Sequence, residues 1–108
     1  MFFGVIALPL LMKMKFSDLN FQPHTSFPDT GIAARYFFPN GYGVSVVRFT
    51  TPFGSGSYGS TKGLYELAVL KGVEENWQIC YDTPITDDVL GHLTELDVEN
   101  LLDEIESL

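Results

Sequence analysis

A chain of 108 residues, 45% hydrophobic and 14% aromatic, is long enough to fold as one domain around a real core, which excludes disorder and any need for disulfide or metal staples. Its 14 acidic residues against 6 basic ones leave a net charge of −8, which argues against nucleic-acid binding because phosphate contacts need clustered Lys and Arg. The single cysteine, Cys80, cannot make an internal disulfide and fits a buried thiol in a reducing compartment, hence a cytoplasmic protein.

The first twelve residues are strongly apolar, but a bilayer-spanning helix takes about 20. Lys13 and Lys15 follow this run, whereas an export signal places its basic residues before it. Neither a membrane span nor export is expected; the run either lies on the domain as a strand or short helix, or precedes a physiological start at Met12 or Met14. Residues 15–31 contain Pro23, Pro28 and many side chains that bond nearby backbone, punctuated by Phe16, Leu19, Phe21 and Phe27. They predict an extended arm anchored by phenylalanines, so residues 1–30 read as a loosely held arm and 31–108 as the domain.

Strand composition begins at residue 34. Residues 34–38 and 43–50 flank Phe38-Pro39-Asn40-Gly41, where proline sets the first corner of a type I turn and glycine takes the left-handed position, giving a bulged hairpin. Residues 51–62 are rich in Gly and Ser and predict a loop that is mobile unless something docks on it. In residues 63–71 both alternating faces are largely apolar, Tyr65, Leu67 and Val69 on one and Leu64, Ala68 and Leu70 on the other, which marks a central strand covered on both sides. A fourth strand spans residues 77–82, where Trp77, Ile79 and Tyr81 alternate with Gln78, Cys80 and Asp82 so that one face turns inward, and Cys80 reads as a thiol packed in the sheet interior.

After Thr83-Pro84 the period changes. Thr86 reads as the N-cap of a short helix through Leu93, with Asp87 and Asp88 at its positive end. Thr94 reads as the cap of a second helix, with Asp97 completing a capping box and Val98, Leu101, Leu102, Ile105 and Leu108 forming its apolar stripe. The expected fold is α+β, a four-stranded antiparallel meander with a C-terminal helical hairpin packed on one face.

Chemistry-bearing motifs are weak. Gly54-Ser-Gly56-Ser-Tyr-Gly59 satisfies G-x-G-x-x-G, yet a dinucleotide site needs those glycines between a strand and a helix, and here a strand follows. A kinase-like glycine loop would need H-R-D and D-F-G segments that the chain lacks. His24 and His92 have no second His or Cys at metal-ligand spacing, and no acid, base and nucleophile converge, so neither an enzyme nor a metal or cofactor is expected. Two surfaces remain as candidates for a partner, which is expected to be a protein: the aromatics Tyr36, Tyr42, Phe53 and Tyr58 around the hairpin and loop, and the acidic helix residues Glu95, Glu99, Asp103 and Glu106. A homo-oligomer stays open.

The segments Asn40-Gly41-Tyr42-Gly43-Val44-Ser45-Val46-Val47-Arg48, Ser57-Tyr58-Gly59, Gly63-Leu64-Tyr65-Glu66-Leu67-Ala68-Val69 and Tyr81-Asp82-Thr83-Pro84-Ile85-Thr86-Asp87-Asp88-Val89 together resemble a family of small uncharacterised proteins encoded by tailed phages and prophages. The resemblance covers residues 31–108 and carries over no functional residue. It implies a bacterial cytoplasm and a non-catalytic accessory protein that binds a host or defence macromolecule, for example as an inhibitor of a defence system. The competing readings are a small-ligand or nucleotide-binding module using residues 54–59, and a virion or assembly component.

Overall fold

Six strands and one α-helix are found among residues 13–86 and 88–108, the residues described by the computed structural model. Strands β1 (Gln22–Pro23), β2 (Gly31–Phe37), β3 (Tyr42–Phe49), β4 (Tyr65–Val73) and β5 (Asn76–Ile79) lie side by side in chain order, every pair antiparallel. β6 (Leu90–Leu93) returns to β4, and α1 (Glu95–Glu106) packs on one face of the sheet. The second edge of β4 is therefore shared: residues 70–73 pair with β5, and Tyr65 and Leu67 pair with β6.

The α+β class and the antiparallel sheet agree with the sequence, but the strand count and the helical hairpin do not. Residues 90–93 are a strand, because β5 ends opposite Leu70 and leaves the first half of β4 needing a partner. Thr86 caps no helix: its hydroxyl accepts the Asp88 N–H at 2.9 Å, while the Thr83 hydroxyl accepts the N–H groups of Ile85 and Thr86, closing a turn. The expectations for residues 1–12 and for Asp87 fall outside the described residues.

The core lies between α1 and one sheet face. Val44 and Val46 of β3, Leu67 and Val69 of β4, and Val98, Leu102 and Ile105 of α1 are all fully buried there. Cys80, expected as a buried thiol, joins them, its N–H bonded to the Val69 carbonyl at 2.7 Å. Ile79 stands opposite Leu70, so Ile79 and Trp77 fall on the other sheet face, and Ile79 and Tyr81 are exposed. On that face Leu70 is nonetheless fully buried: the Phe37 ring lies over Gly43, which stands opposite Leu70, and the Arg35 guanidinium sits 5.1 Å from the Trp77 ring centre.

The hairpin turn forms as its residues dictate. Gly41 takes φ +89°, its N–H reaches the Phe38 carbonyl, and the Phe38 N–H bonds the Tyr42 carbonyl at 2.7 Å. Asn40 does a second job: its side-chain amide donates to the carbonyls of Ile105, Glu106 and Leu108 at 2.9–3.3 Å, closing the C-terminal end of α1 onto the sheet.

The other end of α1 is closed by the predicted box. The Thr94 hydroxyl accepts the Asp97 N–H at 3.1 Å, and the Asp97 carboxylate accepts the Thr94 N–H at 3.0 Å. Replacing Thr94 with alanine is expected to cost about 1 kcal/mol in urea denaturation. The hydrogen bond from the Thr94 N–H holds the Asp97 carboxyl below its ordinary pKa. The folded state thus takes up this proton later than the unfolded chain, so the contribution is complete above the ordinary aspartate range and is lost as pH falls through the depressed folded value. Asp97→Asn should remove that acid-side slope, as read by melting temperature against pH.

Candidate functional site

Residues 49–63 extend β3 beyond the sheet and fold back. Thr50 bridges Gly56, the Thr51 N–H bonds the Ser55 carbonyl at 2.6 Å, and the Gly54 N–H bonds the Thr51 carbonyl at 3.0 Å. The buried Ser57 hydroxyl accepts the Phe49 N–H at 3.0 Å. The segment is thereby a closed hairpin, where Gly and Ser content alone suggested a mobile loop. At its apex Phe53 is 94% exposed.

The glycines of the G-x-G-x-x-G match are used by the chain itself. Gly54 and Gly59 take φ of +81° and +86°, and a Cβ on Gly56 would run into the Phe49 carbonyl. A three-residue 3₁₀ turn, Ser60–Lys62, follows, and the next element is β4. A ligand site here calls for a concavity beside the loop. Two clefts found among the described residues lie elsewhere, one along β2 and one lined by Lys71 and residues 78–82.

Beyond the hairpin, Tyr58 meets β6 at a bulge. Leu90 stands opposite Leu67 and Leu93 opposite Tyr65, so Gly91 and His92 together face Glu66. His92 has φ +57°, a left-handed conformation that costs a residue with a side chain about 1 kcal/mol. The bulge has a visible result. Gly91 lacks the side chain that would collide with Tyr58, the His92 N–H bonds the Tyr58 carbonyl at 3.2 Å, and the two rings lie parallel with centres 6.3 Å apart. Tyr58, 58% exposed, is held from its backbone and its ring at once. His92 corrects the expectation of a helical side chain. The signal was an isolated glycine between Leu90 and Leu93, which in a strand marks a bulge.

The remaining candidates separate into different settings. Tyr42 is half-buried, packed on the core with the Lys71 ammonium 5.3 Å from its ring centre. Tyr36 is 42% exposed on β2 and meets Phe38 edge-on. Two of the acidic residues are occupied within the chain: the Glu99 carboxylate accepts the Phe16 N–H at 2.7 Å, and Asp103 pairs with Lys13 at 3.3 Å. With Phe16 and Phe21 packed about Tyr65 in tilted ring contacts and Leu19 buried, these contacts fasten residues 13–21 to the helix side of the sheet. Glu95 and Glu106 are exposed.

Cys80, His24 and His92 are not brought together. The His24 ring nitrogen Nδ1 accepts the N–H groups of Ser26 and Phe27, and the ring packs 4.7 Å from that of Phe49. The Cys80 thiol donates to the Asp82 carboxylate at 3.0 Å, which raises the thiol pKa and lowers that of Asp82, since losing the proton would break the bond and bring two negative charges together. Asp82→Ala should therefore make Cys80 react faster with iodoacetamide at pH 8, and an unchanged rate would mean that burial alone protects the thiol. Among the described residues no three His, Cys, Asp or Glu side chains are grouped to hold a metal, and no helix is long and apolar enough to cross a membrane. No family model, curated protein or solved structure matches the chain, so its own geometry carries the functional reading.

Proposed function

We propose that this chain is a non-catalytic binding protein that engages another protein through the aromatic end formed by the hairpin of residues 49–63 and the β6 bulge. The observation that carries the reading is Phe53: a nearly fully exposed phenylalanine at the apex of a hydrogen-bonded hairpin does nothing for the fold, yet it is held ready to be buried by something else. Tyr58, fixed over Gly91, supplies a second rigid aromatic on the same excursion. The acidic helix takes a lesser part. Glu99 and Asp103 fasten the arm, which leaves Glu95 and Glu106 to steer a basic partner. The resemblance to tailed-phage proteins supplies the setting, a host or defence macromolecule met in the bacterial cytoplasm.

Affinity capture from bacterial lysate with the wild-type chain and with Phe53→Ala, washed at low and at high salt, tests the reading. It expects one stoichiometric protein that survives high salt and is absent with Phe53→Ala. A partner released by salt and indifferent to Phe53 would move the site to the acidic helix. Absence of any partner would overturn the reading.

A further inference from the structure

β2 has an edge that β1 covers only in part. The His24 N–H bonds the Gly31 carbonyl at 2.9 Å and Gln22 stands opposite Ala33, so the odd-numbered residues of β2 turn their backbone groups toward β1. The even-numbered ones face β3, in step with the Phe38 to Tyr42 bond. β1 begins at Gln22, because the residues before it cross to the helix side, where Phe21 and Phe16 pack about Tyr65. The N–H and C=O groups of Arg35 and Phe37 are left at the edge without hydrogen-bond partners among the described residues. Alongside runs a cleft of about 390 Å³ whose walls include Asn20, Gln22, Arg35, Tyr36, Phe37 and Glu74.

Two donors and two acceptors at a two-residue spacing match the backbone of another extended chain. The register also fixes where its side chains go. Residues opposite Arg35 and Phe37 fall on the sheet face away from α1, and the residue between them falls beside Tyr36, whose ring is partly exposed. At the Phe37 end stands Glu74, an exposed carboxylate of the β4–β5 turn with no ion pair among the described residues. We propose that this edge binds an extended peptide segment of a partner protein, with an apolar or aromatic side chain against Tyr36 and a neighbouring Lys or Arg reaching Glu74. The net charge of −8 favours the same cationic segment. This surface is separate from the Phe53 hairpin and does not depend on it.

The test selects a displayed library of random heptapeptides on the full chain, then titrates the best synthetic peptide and follows amide hydrogen exchange. Expected are sequences with Lys or Arg next to an aliphatic or aromatic residue, and slowed exchange at the Arg35 and Phe37 amides on binding. Arg35→Pro should lose at least about tenfold in affinity while the chain stays folded, its melting temperature lowered only by loss of the Arg35–Trp77 contact, because that N–H has no partner among the described residues and edge strands accept proline. If that variant fails to fold, Glu74→Lys decides by weakening binding with the exchange pattern unchanged. No enriched peptide, or protection appearing at Ile79 on the opposite edge, would overturn the proposal. So would Arg35 and Phe37 amides already protected in a concentration-dependent dimer, which would assign the edge to a second copy.

Discussion

Replacing Leu67 with alanine is expected to cost the fold about 2–5 kcal/mol, read as a lower urea midpoint with an unchanged slope. Leu67 is fully buried at the middle of β4, opposite Val46 on one side and Leu90 on the other. Val98, Leu102 and Ile105 of α1 belong to the same cluster, so truncation leaves a cavity between two layers that are fastened at the C-terminal end of the helix by Asn40 and joined at its N-terminal end through β6. The layers have little room to close over it. At this chain length the loss corresponds to a fall in melting temperature of about 10 °C or more. Phe53→Ala should leave the melting temperature where it is, since Phe53 is 94% exposed. A cost below about 1 kcal/mol at Leu67 would mean that the helix-on-sheet layer is not where stability resides.

Phe53→Ala is expected to weaken partner binding by about 30-fold, equivalent to about 2 kcal/mol, without unfolding the chain. Burying a phenylalanine side chain contributes about 1.5–3 kcal/mol, and the hairpin already carries the ordering cost, so little of that gain is spent on arranging the loop. Tyr58→Ala should weaken binding less, because part of the ring is already covered by Gly91 and His92. Titration of the captured partner with each variant, alongside a thermal melt, separates lost contact from lost fold.

The meander from β2 to β4 was legible in the sequence because its signals are local. Alternation sets the strands, and Pro39-Asn40-Gly41 sets the turn with Gly41 at φ +89°. β6 was not legible, since Leu90 and Leu93 at a spacing of three fit one turn of a helix as well as a bulged strand. What decides between them is the unpaired half of β4, which no local window contains. Alternation along β5 likewise defines two faces without saying which turns inward, and the pairing of Ile79 with Leu70 makes that choice. β1 is two residues long and carries a proline, below the reach of any periodicity.

At the candidate site, Phe53 and Tyr58 could be picked out as aromatics in a Gly/Ser segment, but the hydrogen bonds that make the segment rigid could not. Glu99 and Asp103 looked like free surface charge, because their partners, Phe16 and Lys13, lie more than eighty residues earlier in the chain. Fastening the arm and presenting an acidic face are indistinguishable in composition. Contact alone tells them apart.

Whether the Phe53 hairpin is the contact surface can be tested by site-specific photo-crosslinking. A benzophenone amino acid placed at position 53, and in a second variant at the exposed Gln78 of β5, is irradiated in bacterial lysate. One crosslinked protein is expected at position 53 and none at position 78. A crosslink at 78 with none at 53 would contradict it and move the binding surface to the β5 edge.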